Sequence, residues 1–265
     1  MNRAELDAIL ATTAAEVAVA YRPLDGSDQL LINAETPFHA ASTMKIPVMV
    51  DLFRQVEAGH CALSDEVAVV NQFKSIANGS TYKVELEHDA ERPLFEREKA
   101  TLLELCEQMI TVSSNLATNL LIDFLGVTHI QATLHDLGLD DLKMMRGVED
   151  SAAFAQGINN TTTAAALMKL LTLIATHRVL TPAACDAMLD ILKRQEWRDG
   201  IPMGLPAGTV VAHKTGEITE HHHDAAIVYG ERPYVLVILT RGYPDRAESA
   251  ALITQIARAA HTHTA

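Results

Sequence analysis

The stretch Phe38-His39-Ala40-Ala41-Ser42-Thr43-Met44-Lys45-Ile46-Pro47-Val48-Met49-Val50-Asp51-Leu52-Phe53 places a serine three residues before a lysine. Met44, Val48, Leu52 and Val56 recur every four positions, which predicts a helix with a buried apolar stripe and Ser42 in its first turn. Lys45 then lies one turn along, beside Ser42, since residues three apart on a helix have Cβ atoms roughly 5 to 6 Å apart. A serine hydroxyl is inert until a neighbour takes its proton. A buried lysine can do so, because burial and nearby charge bring catalytic lysines to about 7 or 8, and the positive end of the helix dipole acts in the same direction. Alone, Ser-x-x-Lys is common, and a capping serine with a solvated lysine would read the same way. The functional reading therefore depends on the rest of the chain.

Outward from this helix, Val17, Val19 and Tyr21 alternate with smaller residues, Asp25-Gly26 supplies a turn and Leu30-Leu31-Ile32 follows, predicting a β-hairpin. An amphipathic helix precedes it. From Ser42 to about Gln195 the spacing is helical, as in Leu102, Leu105 and Met109, or Leu167, Leu170 and Ile174. Two irregular stretches interrupt this block. Phe73 to Lys99 is polar and charged and reads as an excursion over the surface, while Arg146 to about Asn160 precedes Thr161-Thr162-Thr163, which can cap the next helix. Gly200, Pro202, Gly204, Pro206 and Gly208 then stop any helix. Three β-rich runs follow, Val210 to Ala212, Ala225 to Tyr229 and Tyr234 to Leu239, before a last helix from Ala247 to about Ala260. The expected fold is α+β, a five-stranded antiparallel sheet flanked by the terminal helices, with an all-helical domain inserted. Residues 1–41 and 196–265 would form the sheet domain and 42–195 the helical one, with the active site in the cleft between them.

Composition narrows the partners. The chain has 265 residues, 48% hydrophobic, and a formal net charge of -13, which disfavours nucleic acid and anionic membranes and favours a small molecule or short peptide. No run approaches the roughly eighteen apolar residues of a membrane span. The N-terminus has acids within its apolar periodicity and no cleavage site, so a cytoplasmic location is expected unless a leader has been removed. Cys61, Cys106 and Cys185 form neither a disulfide framework nor a zinc pattern. No cofactor is expected. His221-His222-His223 could suggest a metal, but consecutive strand residues face opposite ways, and none is expected there.

Two further motifs raise the Ser42 reading. Val112-Ser113-Ser114-Asn115 falls between two helices, and His213-Lys214-Thr215-Gly216 at the end of a strand. Lys214 supplies fixed positive charge, Thr215 a hydroxyl, and Gly216 lets a substrate backbone approach the strand edge. In the order Ser-x-x-Lys, Ser-x-Asn, Lys-Thr-Gly, the set resembles that of the penicillin-recognising serine hydrolases, and within them is similar to the class A β-lactamases, over nearly the whole chain. The resemblance implies that Ser42 is acylated by a β-lactam and that Lys45 is its general base or proton relay. By the same carry-over Ser113 shuttles a proton to the leaving nitrogen, Asn115 holds the acyl side-chain amide, and Lys214 and Thr215 bind the substrate carboxylate. The backbone N–H groups of Ser42 and Glu217 would form the oxyanion hole.

The chain departs from the family pattern in several places. Ser114 replaces the usual aspartate of the middle motif. The family's Glu-x-x-Leu-Asn, whose glutamate activates the deacylating water, is missing; in the shorter loop here Glu149 is the nearest candidate, with Asp150 beside it. The arginine often found on the strand after Lys-Thr-Gly is also missing, with Arg241 a candidate substitute. Cys106 stands where some relatives have half of a disulfide, but Met49 occupies the partner position. The function implied is β-lactam hydrolysis through an acyl-serine, with slow deacylation. The alternatives are a D-alanyl-D-alanine peptidase or esterase and a sensor that stays acylated.

Overall fold

Strand β1 (Glu16–Pro23) sends Val17, Val19 and Tyr21 into one core and Ala18 and Ala20 into another, so its period-two alternation separates two buried faces. In the computed structural model, which describes residues 2–243 and 245–262, β1 is followed by β2 (Leu30–Ile32), β3 (Val211–Ile218), β4 (His221–Val228) and β5 (Tyr234–Arg241). They form one antiparallel sheet in the order β2-β1-β5-β4-β3, with Val19 opposite Ile238 and Lys214 opposite Ala225. Strand β5 repeats the alternation, Leu236 and Ile238 to one face, Val235 and Val237 to the other.

The helices of eight or more residues are α1 (Arg3–Leu10), α2 (Lys45–Glu57), α3 (Leu102–Thr111), α4 (Asn115–Leu125), α5 (Val127–Asp136), α6 (Ala164–Ala175), α7 (Pro182–Lys193) and α8 (Arg246–Thr262), with shorter ones at Arg92–Phe95 and Ser151–Ala155. Helices α1 and α8 cover one face of the sheet, where Leu6, Ile253 and Ile256 pack on β1 and β5. Helix α6 lies against the other face and links the sheet to the remaining helices in one continuous core. The α+β class and the five-stranded antiparallel sheet agree with the expectation from sequence. Several starts are fixed by local chemistry. Thr101 and Glu104 form a reciprocal capping box on α3, Ser114 accepts from the Ala117 N–H, and Thr163 accepts from the Ala166 N–H.

Three features differ from expectation. Helix α2 is not buried along one stripe: every residue from Lys45 to Phe53 is buried, because the helix runs between α3, α4, α5 and α7. The block between the strands also contains short antiparallel pairs, among them Phe38–His39 with Thr161–Thr162. The polar stretch 73–99 is no free excursion, since Val84, Glu91 and Leu94 within it are buried and its last residue, Lys99, pairs with Ala68.

Candidate active site

Ser42 sits in a 3-10 turn, Ala41–Met44, that leads into α2. The turn is drawn tight: Ala41 has φ +45°, and its N–H donates to His39 Nδ1 at 3.0 Å. Lys45, fully buried, is directed at the connection between α3 and α4 rather than at Ser42. Its Nζ donates to Ser113 O (2.6 Å), Ser113 Oγ (3.1 Å) and Asn115 Oδ1 (2.9 Å). Ser113 takes a left-handed conformation, φ +62°, at the head of α4. Lys214, on edge strand β3 and also fully buried, reaches the same hydroxyl, 3.0 Å from Ser113 Oγ, and donates to Thr215 O at 2.9 Å. Two amino groups therefore converge on one hydroxyl oxygen. Burial brings Lys45 down to about 8, against the opposing pull of Glu87, Glu91 and Glu149. Burial, then the charge of Lys45, holds Lys214 well below the ordinary lysine range, with Asp224 acting the other way.

Strand β3 crosses directly beside the Ser42 turn. A Cβ on Gly216 would lie 3.1 Å from the backbone nitrogens of Ser42 and Thr43, so a larger residue here would press on the Ser42 turn. Thr215 is buried and lines the cleft with Ser42 and Ser113. The Glu217 carboxylate, at the strand edge, accepts from Arg246 Nε at 2.5 Å, and Arg246 also pairs with Asp199 at 2.6 Å. Arg246 lines the lobe of the cleft that holds Thr215, from a position at the start of α8 that no motif singled out. Arg241 is held elsewhere: it pairs with Glu16, and its guanidinium stacks 5.1 Å from the Phe38 ring centroid.

The loop 146–160 gives its two adjacent acids different partners. Glu149, in a left-handed conformation at φ +59°, accepts from Asn115 Nδ2 at 2.8 Å and from the Glu85 N–H at 2.9 Å. Burial raises its pKa; the two hydrogen bonds act against that rise, and Glu87 and Glu85 add to it. Asp150 turns the other way, accepting from the Ala153 and Ile76 N–H groups. Arg146 stitches the loop with bonds to Ile158 O, Gly147 O and Asn159 Oδ1. Of the three histidines, His222 bonds Ser249 on α8 and His223 donates to His39 O on the opposite face of the sheet. Ser114 is buried in its capping role, and Cys106 is a free buried thiol.

Ser42 opens on both lobes of a cleft. One, about 850 Å³, is lined by Ser113, Thr215, His88 and Trp197; the other, about 680 Å³, by Asn115, Glu149, His39 and Phe154. The sequence motifs thus meet at one place, with Ser42 opening on the cleft, Lys45 and Lys214 buried at Ser113, and Glu149 bonded to Asn115 in the adjoining lobe. A family model described as the beta-lactamase enzyme family matches residues 2–264. The chain belongs to this beta-lactamase family. It is a hydrolase of the penicillin-recognising serine enzyme superfamily. The fold is also that of solved structures. The beta-lactamase from Chitinophaga pinensis DSM 2588 is similar with a TM-score of 0.87, at 22% identity over 99% of both chains. That from Sphaerobacter thermophilus DSM 20745 gives 0.83, at 24% identity over 100% of this chain and 98% of the other. PBP-A gives 0.83, at 24% identity over 99% and 96%. Comparison with curated proteins found no match. Among the described residues no helix is long and apolar enough to cross a membrane.

Proposed function

We propose that this beta-lactamase-family protein is a class A-like enzyme that hydrolyses the amide of β-lactams through an acyl-Ser42 intermediate. The observation that carries the reading is the convergence of Lys45 and Lys214 on Ser113 Oγ beside Ser42. Ser42 Oγ attacks the lactam carbonyl, with Lys45 as the base. The C–N bond breaks as the proton passes through the Ser113 hydroxyl to the leaving nitrogen. The Ser42 and Glu217 N–H groups stabilise the oxyanion, and Lys214 and Thr215 hold the substrate carboxylate. Asn115 holds the acyl side-chain amide.

Glu149 activates the water that attacks the ester, returning the proton to Ser42. Its raised proton affinity suits a general base, and its bond to Asn115 keeps it at the cleft. Deacylation is slower than acylation, because Asn159 and Asn160 of the same loop are engaged by Arg146 and by the backbone of residues 145 and 146. The Asn160 amide is committed at both ends to holding the loop together, and the Asn159 oxygen to Arg146, rather than to gripping the water. A D-alanyl-D-alanine peptidase is the second reading, favoured by the absence of Glu-x-x-Leu-Asn and by the likeness to PBP-A, a mutant of which is solved as an acyl-enzyme complex with penicillin G. Pre-steady-state reaction with a chromogenic cephalosporin separates the two. A burst followed by steady turnover that is lost in Glu149→Gln is expected; turnover of a D-Ala-D-Ala peptide with a persistent cephalosporin adduct would favour the peptidase.

A further inference from the structure

Helix α3 ends at Thr111, two residues before Ser113, and the last carbonyls of a helix have no donor within it. At this end the carbonyls are taken up by the segment that follows α7. Gln195 Nε2 donates to Ile110 O at 2.8 Å, the Glu196 N–H to Thr111 O at 3.0 Å, and the Trp197 indole Nε1–H to Val112 O at 3.2 Å. The Trp197 N–H in turn donates to Gln195 Oε1 at 3.0 Å, which ties the tryptophan backbone to a buried amide. The His88 ring packs tilted against the indole, centroids 4.6 Å apart, and both rings line the lobe of the cleft that holds Ser113 and Thr215. Ser113 itself needs holding. Its φ of +62° is one that a residue with a Cβ seldom adopts, and such a backbone persists only where its surroundings over-determine it. The Lys45 ammonium fixes the peptide after Ser113 through Ser113 O, at 2.6 Å, and the indole fixes the peptide before it through Val112 O. Peptide groups are planar, so holding the two that flank a residue sets its φ and ψ and with them the direction of its side chain.

We propose that Trp197 is a positioning residue for the reaction, whose indole N–H holds the peptide before Ser113 and so aims the Ser113 hydroxyl at Lys45 and Lys214. The proposal rests on Ser113 relaying the proton to the leaving nitrogen. Without the N–H the Val112 carbonyl loses this donor, its peptide is free to rotate, and φ at Ser113 relaxes toward the negative region that such a residue prefers. The hydroxyl then swings away from the ammonium groups that stand 3.1 and 3.0 Å from it. Lys214 and Thr215, which hold the substrate carboxylate, stand on β3, a separate element. Loss of the N–H therefore acts on the rate of the chemical step and leaves binding in place.

Trp197 is the one tryptophan of the chain, so expression in a tryptophan auxotroph supplied with benzothienylalanine, which carries sulfur in place of the N–H in a bicycle of similar shape, alters this position alone. The saturating acylation rate constant with a chromogenic cephalosporin should fall roughly 10- to 100-fold, the scale of a misplaced reacting group, while the half-saturating concentration stays close to that of the parent. Trp197→Phe, which also lacks the donor, should show the same split. Protein carrying fluorotryptophan, which keeps the N–H, should acylate at close to the parent rate. Ser113→Ala separates this inference from the reading beneath it. If Ser113→Ala acylates slowly and the benzothienylalanine protein at the parent rate, the inference is overturned and the relay stands; if Ser113→Ala acylates at the parent rate, the relay is overturned and the inference with it. A loss that falls on the half-saturating concentration instead of the rate constant, or failure of both donor-less proteins to fold, makes Trp197 a wall of the cleft or a structural group and overturns the inference as well. A parent that takes no acyl group from the cephalosporin overturns both.

Discussion

The pH dependence of acylation follows from where Lys45 sits. Its folded-state pKa of about 8, lowered from 10.5 by burial, means that about half of the molecules carry the free amine at pH 8, about a tenth at pH 7 and about a hundredth at pH 6. If the free amine accepts the Ser42 proton, acylation should rise roughly tenfold per pH unit below pH 7 and level off above about pH 8.5. The same shift is a stability statement. The folded-state value lies below the unfolded one, so between about pH 8 and 10.5 the unfolded chain binds a proton that the folded chain does not. Stability therefore rises with pH across that window, by up to about 3 kcal/mol from Lys45, and Lys214 contributes with the same sign. Stopped-flow acylation from pH 5.5 to 9.5 tests the first consequence, and denaturant unfolding at pH 8 and 10 the second. Lys45→Met should slow acylation by a factor on the order of 100 to 10,000 and flatten its pH profile. A parent profile that is level from pH 6 to 8, or a Lys45→Met variant that acylates at the parent rate, would refute the assignment.

Intact-mass measurement after penicillin treatment should show one covalent adduct, mapped to the Ser42 peptide; an adduct that persists in Ser42→Ala shows the nucleophile to be another residue. Glu149→Gln should slow deacylation by a factor on the order of 100 to 10,000 with acylation little changed, so that the acyl-enzyme accumulates. Asp150→Asn, which weakens the bonds to the Ala153 and Ile76 N–H groups, should lower stability by about 1 kcal/mol and leave the deacylation chemistry in place. The two variants are read by burst kinetics and thermal melting, and equal loss of deacylation in both would remove the distinction drawn between them. Gly147→Ala would put a Cβ 2.7 Å from Asn119 Oδ1 and 2.8 Å from the Tyr82 hydroxyl, lowering stability by about 1 to 3 kcal/mol and shifting Glu149; a variant that melts and deacylates like the parent would contradict the packing of this loop.

The parts of the site carried by regular elements were legible because periodicity fixes them. The alternation of Val17, Val19 and Tyr21 gave β1, and the four-residue spacing from Met44 to Val56 gave α2, which carries Lys45. The order of Ser42, Lys45, Ser113, Asn115 and Lys214 was readable as a set, and the folded chain brings Lys45, Ser113, Asn115 and Lys214 into one hydrogen-bonded group. What the spacing could not give was the aim of a side chain. Lys45 is one turn from Ser42 yet bonds to Ser113 and Asn115, acceptors that arrive from 68 and 70 residues away. Strand β3 ran past the end expected for it because His213, Lys214, Thr215 and Glu217 are polar and interrupt its apolar pattern. Arg246 stood at the head of a helix whose pattern was legible, but its two acidic partners come from elsewhere in the chain.

The loops show why polarity in a sequence does not by itself mean exposure. Residues 85–91 carry four acids and a histidine, a composition that reads as solvated surface, and most of them are exposed. Glu91 is not. Its burial is enforced from outside the segment, by Leu94 joining the helical core and drawing the preceding turn inward. The Glu85 N–H, meanwhile, is spent on the Glu149 carboxylate. The two irregular stretches thus hold each other in place across the cleft, one supplying a backbone donor and the other a carboxylate. Glu149, left-handed in its backbone, bonds to Asn115 at the site, whereas the adjacent and chemically alike Asp150 is spent on the Ala153 and Ile76 N–H groups. A loop stretched by insertion near Glu85 should therefore release Glu149 and impair deacylation, even though no residue of the motif set has changed.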